Sequence, residues 1–394
     1  MRIRHPSVPL LLATLSLVMG CAHSPPRLSG SESPAAATNG DLQVIEPARA
    51  ELLQKIAPQD PRFRYEGRID STDPSGPVMV WQGSRILIDF SGVQLAVRFA
   101  GLEDQSFFDV RVDGTNHVLT VRRGEPHWFT LPEPLKDGRH HLVIFKRSEA
   151  NAGWARFEGM GIAPDAQAWA PAAAAYPLRM EFFGDSITVG ACNEDGATDQ
   201  WEDRRTHNNA LSYAAMTAQA FDADYRNIAV SGMGIVTGYV DIRAEQIWNR
   251  AYPRSSAALA DLKSWKPDVV FVNLGENDAS FTRGHHQPFP PDFVQQYEDL
   301  VRAIRQSCPD AHLVILRGGM YGGAKDTTLC EAWTKVVGDL EASDSGISHF
   351  IFTHWSNNHP RVADDRIMAD ELIAWLREQA FMKPYLHEEA GGER

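Results

Sequence analysis

Apolar and polar residues follow two different patterns along the chain. From about residue 63 to 162 they alternate, as in GVQLAVRFAG (residues 92–101), and no helical run interrupts the alternation. A period of two is typical of half-buried β-strands. Asp113 and Gly114 stand between two such runs and offer a tight hairpin turn. The pattern predicts an antiparallel β-sandwich over residues 61–168.

After the Ala- and Pro-rich segment APDAQAWAPAAAAYP, short apolar runs alternate with helical stretches. RMEFFG, VVFVNLG, HLVILRG and HFIFTH have the composition of buried strands, whereas DFVQQYEDLVRAIRQ spaces its apolar residues as a helix does. Alternating strands and helices predict a parallel sheet covered by helices on both faces. We therefore expect an α/β domain over residues 175–385.

The N-terminus has the features of an export signal. A basic start precedes the apolar run VPLLLATLSLVMG, which is short for a membrane span. The run ends in LVMGC, which resembles a bacterial lipobox and predicts a signal peptide over residues 1–20 with lipidation of Cys21. Ala22 favours sorting to the outer membrane. An ordinary secretory signal with an incidental cysteine is the alternative. The first part of residues 21–60 is rich in Ser, Pro, Ala and Gly. This composition predicts that residues 21–60 form a flexible linker.

The net charge and the cysteine content limit the partners and the covalent links that this protein can have. The 394 residues carry a formal net charge of −13, which argues against nucleic acid or an anionic membrane surface as a partner. An exported protein can form one disulfide, and spacing favours Cys308 with Cys330, although unpaired buried thiols are also common. No CxxC motif or zinc-finger spacing is present.

Four loops at strand ends carry candidate chemistry, because ligands of open α/β sheets bind at the carboxyl ends of the strands. FFGDSITVG places Ser186 after the first strand, where Asp185 or Ser186 could equally be a helix cap. Gly232 allows close approach of the backbone or simply forms a turn. Asn277, in GEND, suits an oxyanion or an Asx turn. His359 follows the last strand.

The order Ser, Gly, Asn, His is the signature of the SGNH (GDSL-type) hydrolase superfamily, which this half of the chain resembles. The stretches GDSITVGACNEDG, NNALSYAAMTAQAFDADYRNIAVSGMGI and GEND, with a late His-Pro, look like carbohydrate esterase family two. The resemblance extends from about Phe63 to the last helix. It implies a three-layer, flavodoxin-like SGNH domain preceded by a small jelly-roll sandwich. It also implies hydrolysis of acetyl esters on sugars.

The resemblance assigns roles to these residues. Ser186 would be the nucleophile and His359 the general base that later protonates the leaving sugar oxygen. The oxyanion hole would consist of the backbone N–H groups of Ser186 and Gly232 and the side chain of Asn277. No metal or cofactor is implied.

The chain departs from the superfamily at the acid. The residue three positions before His359, usually Asp, is Ser356, and the next is Asn357. Because some members of the family use a Ser-His dyad, we expect a main-chain carbonyl to hold His359, with the Asn357 side chain as the second choice. Asp364 and Asp365 are expected on the following helix, pointing elsewhere.

The resemblance implies acetylated polysaccharide of the xylan or mannan type as substrate. Trp355 and Asp185 are candidates for lining it, with core packing as the alternative for Trp355. A lipid, thioester or bacterial glycan ester is an alternative substrate, and a non-catalytic carbohydrate-binding lipoprotein is an alternative function. We expect a monomer tethered to the membrane only through its N-terminal lipid.

Overall fold

The computed structural model describes residues 40–386, in which an antiparallel β-sandwich precedes an α/β domain. The sandwich elements are β1 (Gln43–Val44), α1 (Pro47–Ala50), β2 (Gln54–Ile56), β3 (Arg64–Glu66), β4 (Val78–Met79), β5 (Arg85–Ser91), β6 (Leu95–Gly101), β7 (Gln105–Val112), β8 (Thr115–Arg122), β9 (His127–Thr130), β10 (Arg139–Lys146), β11 (Ala155–Ile162) and β12 (Ala168–Trp169). The predicted order of domains is confirmed.

Two six-stranded sheets form the sandwich. One has the order β1-β9-β6-β11-β2 with β4 beside β11, and the other has the order β12-β5-β10-β7-β8 with β3 beside β5. The alternating apolar residues meet between the sheets, where the rings of Phe99 and Phe108 lie 4.9 Å apart. Asp113 and Gly114 both have positive φ at the β7–β8 turn, as the predicted hairpin requires.

The predicted boundary between linker and sandwich is wrong in its position. β1 pairs with β9, and β2 pairs with β11, so residues before 61 already belong to the sandwich. β1 and β2 are only two and three residues long and mostly exposed, and they therefore lack the alternation that marks a strand. The predicted signal peptide (residues 1–20) and Cys21 lie outside the described residues.

The α/β domain has one parallel sheet. Its elements are β13 (Arg179–Gly184), α2 (Ser186–Val189), α3 (Tyr213–Ala220), β14 (Asp224–Ala229), α4 (Ala244–Ile247), β15 (Val269–Asn273), α5 (Glu276–Gly284), α6 (Phe293–Ser307), β16 (His312–Met320), α7 (Tyr321–Lys325), α8 (Thr327–Ser343), β17 (Ile347–Ser356) and α9 (Val362–Glu378). The order β14-β13-β15-β16-β17 is the flavodoxin-like order 2-1-3-4-5. Its switch point lies between β13 and β15, where ligands of such sheets bind.

Helices cover both faces of this sheet, as predicted. Phe182 packs with Phe271, α3 and α9 on one face, whereas Phe183 packs with α6 and α8 on the other. The rings of Phe182 and Phe271 stack at 4.3 Å. Successive residues of β13 thus point into opposite layers, which explains why the strand is apolar throughout.

The sandwich packs against the α/β domain through buried polar contacts. The guanidinium of Arg68 donates to Glu181 of β13 at 2.9 Å and to the carbonyl of Trp248 at 2.6 Å. Gln82 donates to the side-chain oxygen of Asn227 at 2.7 Å. Because these groups are buried, their hydrogen bonds fix the relative position of the two domains.

The predicted disulfide between Cys308 and Cys330 is wrong, since both thiols are free. Cys308 directly follows the C-terminal end of α6, and Cys330 lies in the first turn of α8. Both helices connect parallel strands and run in the same direction, so the two cysteines lie at opposite ends of the helical layer. None of the helices within residues 40–386 combines the length and the apolar character needed to cross a membrane.

Candidate active site

Ser186 is the first residue of α2, directly after β13. Asp185 caps this helix, because its Oδ1 atom accepts the N–H of Ile187 at 3.0 Å. A helix start leaves N–H groups without intrahelical acceptors, and this favours negative charge nearby. The strand-to-helix junction therefore presents the Ser186 hydroxyl at the carboxyl edge of the sheet.

His359 connects Ser186 to a carboxylate. Its Nε2 atom lies 2.8 Å from the Ser186 hydroxyl, and its Nδ1 atom lies 2.7 Å from Oδ2 of Asp199. A carboxylate can only accept, so Nδ1 carries the proton and Nε2 is free to accept from the serine. The three side chains form the relay of a Ser-His-Asp triad.

The predicted means of holding His359 is therefore wrong. A carboxylate, rather than a main-chain carbonyl or Asn357, accepts from the imidazole. The Asn357 side chain is exposed, and Ser356 ends β17 opposite Met320. Asp199 was missed because it lies on a loop between α2 and α3, far from His359 in sequence.

Arg361 holds Asp199 in place. Its Nη1 atom donates to Oδ1 of Asp199 at 2.8 Å and to the carbonyls of Cys192 and His359 at 3.0 Å each. Burial alone would raise the pKa of Asp199, but hydrogen bonds from His359 and Arg361 outweigh it and hold the pKa well below its usual range. Asp199 is thus ionised wherever an esterase works.

The loop that carries Asp199 is stabilised by its own side chains. Asp195 accepts the backbone N–H of Gln200 at 2.9 Å, and the Gln200 amide donates to the Thr206 hydroxyl at 2.6 Å. Loops of more than about 12–15 residues within compact domains are commonly functional. The length of this one, between Gly190 and Ser212, was the available sequence signal.

The side chain of Asn277 contacts both the loop of Ser186 and the turn that contains Gly232. Gly232 has φ of +80° in a turn in which the Met233 N–H donates to the Val230 carbonyl at 3.2 Å. The Asn277 amide donates to the Met233 carbonyl at 2.9 Å and to Asp185 at 3.1 Å. The amide therefore joins the loop of Ser186 to the loop of Gly232.

Backbone donors are available at this junction. Across residues 40–386, the N–H groups of Ser186 and Gly232 have no hydrogen-bond acceptor. Unsatisfied N–H groups that lie beside a nucleophile are suited to binding an oxyanion.

Asp278 fixes the loop that follows Gly232. Its carboxylate accepts the backbone N–H groups of Ile235, Val236 and Thr237 at 2.8–2.9 Å. Burial raises its pKa to about 6, although these hydrogen bonds act in the opposite direction. The loop with Gly232 is thus tied to α5, the helix that carries Asn277.

Two of the remaining sequence predictions are settled by burial and contacts. The prediction that Asp185 lines the substrate is wrong, because this residue is fully buried and caps α2. Burial raises the pKa of Asp185 to about 8.

Asp364 and Asp365 point away from His359 as expected. Asp364 binds His354 at 2.7 Å, and Asp365 accepts the backbone N–H of Tyr213 at 2.9 Å.

Exposed aromatic rings lie beside His359 and beside the loop of Gly232. Trp201 is 37% exposed, and its ring lies edge-on to His359 at 5.1 Å. Tyr239 is 56% exposed and donates its N–H to the Gly232 carbonyl at 2.8 Å. Trp355 is partly buried and lies 6.1 Å from the ring of Tyr321, so it is outside the core. Trp201 and Tyr239 were missed because single aromatic residues in loops carry no pattern.

Two groups of side chains have the donor atoms of a metal site. One consists of Cys192, Asp195 and His207, the other of Cys192, Asp199 and His359, and the ligand atoms of each group lie within 4.8 Å of one another. Burial raises the pKa of the Cys192 thiol, and because a metal ligand must be a thiolate, binding a metal at either group would require release of this proton. In the second group a metal would also replace the hydrogen bond between His359 and Asp199.

Comparison with known proteins identifies the family of this chain. Residues 182–380 match the GDSL-like lipase/acylhydrolase family, and residues 65–172 match the carbohydrate esterase 2 N-terminal family. The chain therefore belongs to the GDSL-like lipase/acylhydrolase family. Within it, the chain is a carbohydrate esterase of family 2, and hence a carboxylic ester hydrolase.

Several known proteins can be aligned with most of this chain. The cellulase/esterase CelE of Acetivibrio thermocellus is 31% identical over 342 residues, which are 83% of this chain but only 41% of CelE. An acetylxylan esterase/glucomannan deacetylase of Cellvibrio japonicus is 28% identical over 74% of this chain and 82% of its own length. A family two carbohydrate esterase from Clostridium thermocellum, solved in complex with cellohexaose, has a TM-score of 0.73 and 30% identity, covering 82% of this chain and all of that one.

Proposed function

We propose that this protein is a serine esterase that removes O-acetyl groups from polysaccharide of the xylan or mannan type. The observation that carries the proposal is the relay from Ser186 through His359 to Asp199, with hydrogen bonds of 2.8 and 2.7 Å. A serine hydroxyl is a weak nucleophile, and an adjacent oriented base activates it.

In the first step, Ser186 attacks the acetyl carbonyl carbon while Nε2 of His359 takes the hydroxyl proton. The imidazolium that forms is stabilised by the ionised Asp199. As the tetrahedral intermediate collapses, His359 returns the proton to the sugar oxygen. The sugar leaves as a free alcohol, and Ser186 carries the acetyl group.

Water completes the reaction. His359 takes a proton from a water molecule, which attacks the acetyl-serine carbonyl, and the proton then returns to the Ser186 oxygen as acetate leaves. In both steps negative charge develops on the carbonyl oxygen. The N–H groups of Ser186 and Gly232 and the amide of Asn277 would stabilise this charge. To do so, the Asn277 amide would give up its hydrogen bond to Asp185 or to the Met233 carbonyl and donate to the oxyanion instead.

Polysaccharide as the substrate is supported by the aromatic rings beside the site. Trp201 and Tyr239 are exposed close to His359 and Gly232, respectively. Their flat apolar faces match those of pyranose rings, and the Tyr hydroxyl and Trp N–H add polar contacts. The names of the relatives, which include acetylxylan esterase and glucomannan deacetylase, point to the same class of substrate.

We also propose that the protein is exported and held at the cell envelope, on the outer membrane, by a lipid on Cys21. This proposal rests on the lipobox-like LVMGC and on Ala22. Replacing Cys21→Ser should abolish incorporation of labelled fatty acid and release the protein from membranes. Unchanged labelling would contradict it.

The test of the substrate compares acetate release from acetylated xylan, acetylated glucomannan and O-acetylated peptidoglycan by the wild type and by Ser186→Ala. We expect release from the plant-type polysaccharides only, and only by the wild type. Binding of these polysaccharides without release of acetate would favour a carbohydrate-binding protein. Preference for peptidoglycan would favour a bacterial glycan esterase.

A further inference from the structure

We propose that Glu149 and Arg147 of the β-sandwich position the two loops of the esterase site. Both residues lie just after β10, and each contacts the α/β domain, Glu149 through Ser231 and Arg147 through Glu194. The inference rests on the proposed function, because the loops they hold carry Gly232 and Asp199.

Glu149 contacts both loops at once. Its Oε2 atom accepts the backbone N–H of Ser231 at 2.8 Å, and its Oε1 atom accepts from Arg204 at 2.8 Å. Only 1% of Glu149 is exposed. A buried carboxylate is retained at such a place only if both of its oxygens are hydrogen-bonded, so these contacts are strong and specific.

The contact with Ser231 fixes the turn that presents the Gly232 N–H. Ser231 and Gly232 are the two central residues of this turn, and the positive φ of Gly232 is what a type II turn requires at its third position. Glu149 anchors the peptide before Ser231, and the Tyr239 N–H anchors the Gly232 carbonyl at 2.8 Å. The peptide between them, which contains the Gly232 N–H, is thereby held from both sides.

Arg147 holds the other loop. Its guanidinium donates to Glu194, which precedes Asp199 on the α2–α3 loop, and to Asp109 of β7 at 2.9 Å. Its own carbonyl accepts the N–H of Asn209 at 2.9 Å. The start and the end of the loop are thus both attached to the sandwich, and Arg204 adds a third attachment through Glu149.

The side chain of Lys146 holds the backbone of this segment through hydrogen bonds. Its ammonium group is buried and donates to the carbonyls of Ser148 at 2.8 Å and Glu149 at 3.3 Å. The backbone that carries Arg147 and Glu149 is therefore rigid. A rigid support is needed, because a displacement of about 1 Å in a catalytic group can cost on the order of 10² in rate.

The experiment compares Glu149→Gln and Glu149→Ala with the wild type. A matched control is Glu158→Gln, since Glu158 is a sandwich carboxylate that binds Arg156 at 2.6 Å within its own domain. For Glu149→Ala we expect kcat on an aryl acetate to fall about 10- to 100-fold, part of the loss expected for one oxyanion donor. KM should change little. Glu149→Gln should retain more activity, because its amide oxygen can still accept from Ser231.

Hydrogen exchange gives a readout that does not depend on activity. Amides of residues 228–238 should exchange faster in Glu149→Ala than in the wild type. In Glu158→Gln they should exchange at the wild-type rate. If Glu149→Ala folds poorly, Glu149→Met, which is similar in size but offers no oxygen to the Ser231 N–H, provides the same comparison. Unchanged exchange, or faster exchange with wild-type kcat, would overturn the inference. A wild type without Ser186-dependent hydrolysis would contradict the proposed function instead, while exchange would still report on the contact with Ser231.

Discussion

Asp199 lies 160 residues before His359 in the chain, yet its Oδ2 atom is 2.7 Å from Nδ1 of that histidine. The acid of this relay thus comes from the loop after the nucleophile, and the position three residues before the histidine holds Ser356. Arg361 binds the second oxygen of Asp199 and ties it to the segment that carries His359. The site therefore has its own means of orienting the imidazole.

Replacing Asp199→Asn should abolish most of the activity. The amide would present a donor or a weaker acceptor to Nδ1, so the imidazole would adopt the wrong tautomer, and we expect a loss of kcat on the order of 10⁴. Steady-state hydrolysis of an aryl acetate measures this loss. Asn357→Ala and Asp364→Asn are the controls, and both should keep wild-type kcat. Near-normal activity of Asp199→Asn, or a large loss of activity in Asn357→Ala, would show that the site works as a Ser-His dyad without Asp199.

Asn277→Ala should slow the reaction without preventing folding. Loss of one oxyanion donor typically costs about 10²–10³ in kcat. The variant also leaves an oxygen of the buried Asp185 without that donor, for which we expect about 1–3 kcal/mol of stability to be lost. Kinetics and urea unfolding on the same preparation separate the two effects. A variant that unfolds more readily but keeps full kcat would exclude Asn277 from the oxyanion hole.

The buried pair of Arg68 and Glu181 should dominate the contact between the domains. Removing one partner leaves a buried charge without compensation, which costs about 3–5 kcal/mol. We therefore expect Arg68→Met and Glu181→Gln each to lower the free energy of unfolding by that amount. The double variant should lose less than the sum of the two. Strict additivity in urea unfolding would show that the 2.9 Å contact does not couple these residues.

Lys146 should make stability depend on pH. Burial lowers its pKa to about 7, whereas an unfolded lysine titrates near 10.4. Between these values the unfolded state binds more protons, so the contribution of Lys146 to stability rises with pH, by at most about 1.4 kcal/mol per pH unit. Urea unfolding at pH 7 and 9.5 should show this rise in the wild type but not in Lys146→Met. The exposed Lys55→Met should keep the rise, and its loss there would contradict the assignment.

The sequence allowed four of the five residues of the proposed mechanism to be predicted for one physical reason. Ser186, Gly232, Asn277 and His359 each follow a strand of the parallel sheet, and the carboxyl ends of parallel strands converge at one edge of the sheet. Asp199 follows no strand. Its place depends on hydrogen bonds within a long polar loop and on attachments to the sandwich, which no local pattern reveals.

The errors in the fold have similar causes. β1 and β2 are held by pairing with β9 and β11, and their own residues have no strand pattern. The disulfide prediction used sequence spacing, but α6 and α8 place Cys308 and Cys330 at opposite ends of one layer. In each case, contacts between residues distant in sequence decide the structure.

The covalent intermediate on Ser186 is the most direct test of the account. The wild type and Ser186→Ala would be mixed with 4-nitrophenyl acetate, quenched with acid within the first turnover, and digested for mass spectrometry. We predict an acetyl group on the peptide that contains Ser186 in the wild type, and no acetylated active-site peptide in the variant. Acetate release by the wild type without acetylation of Ser186, or equal release by Ser186→Ala, would contradict the mechanism.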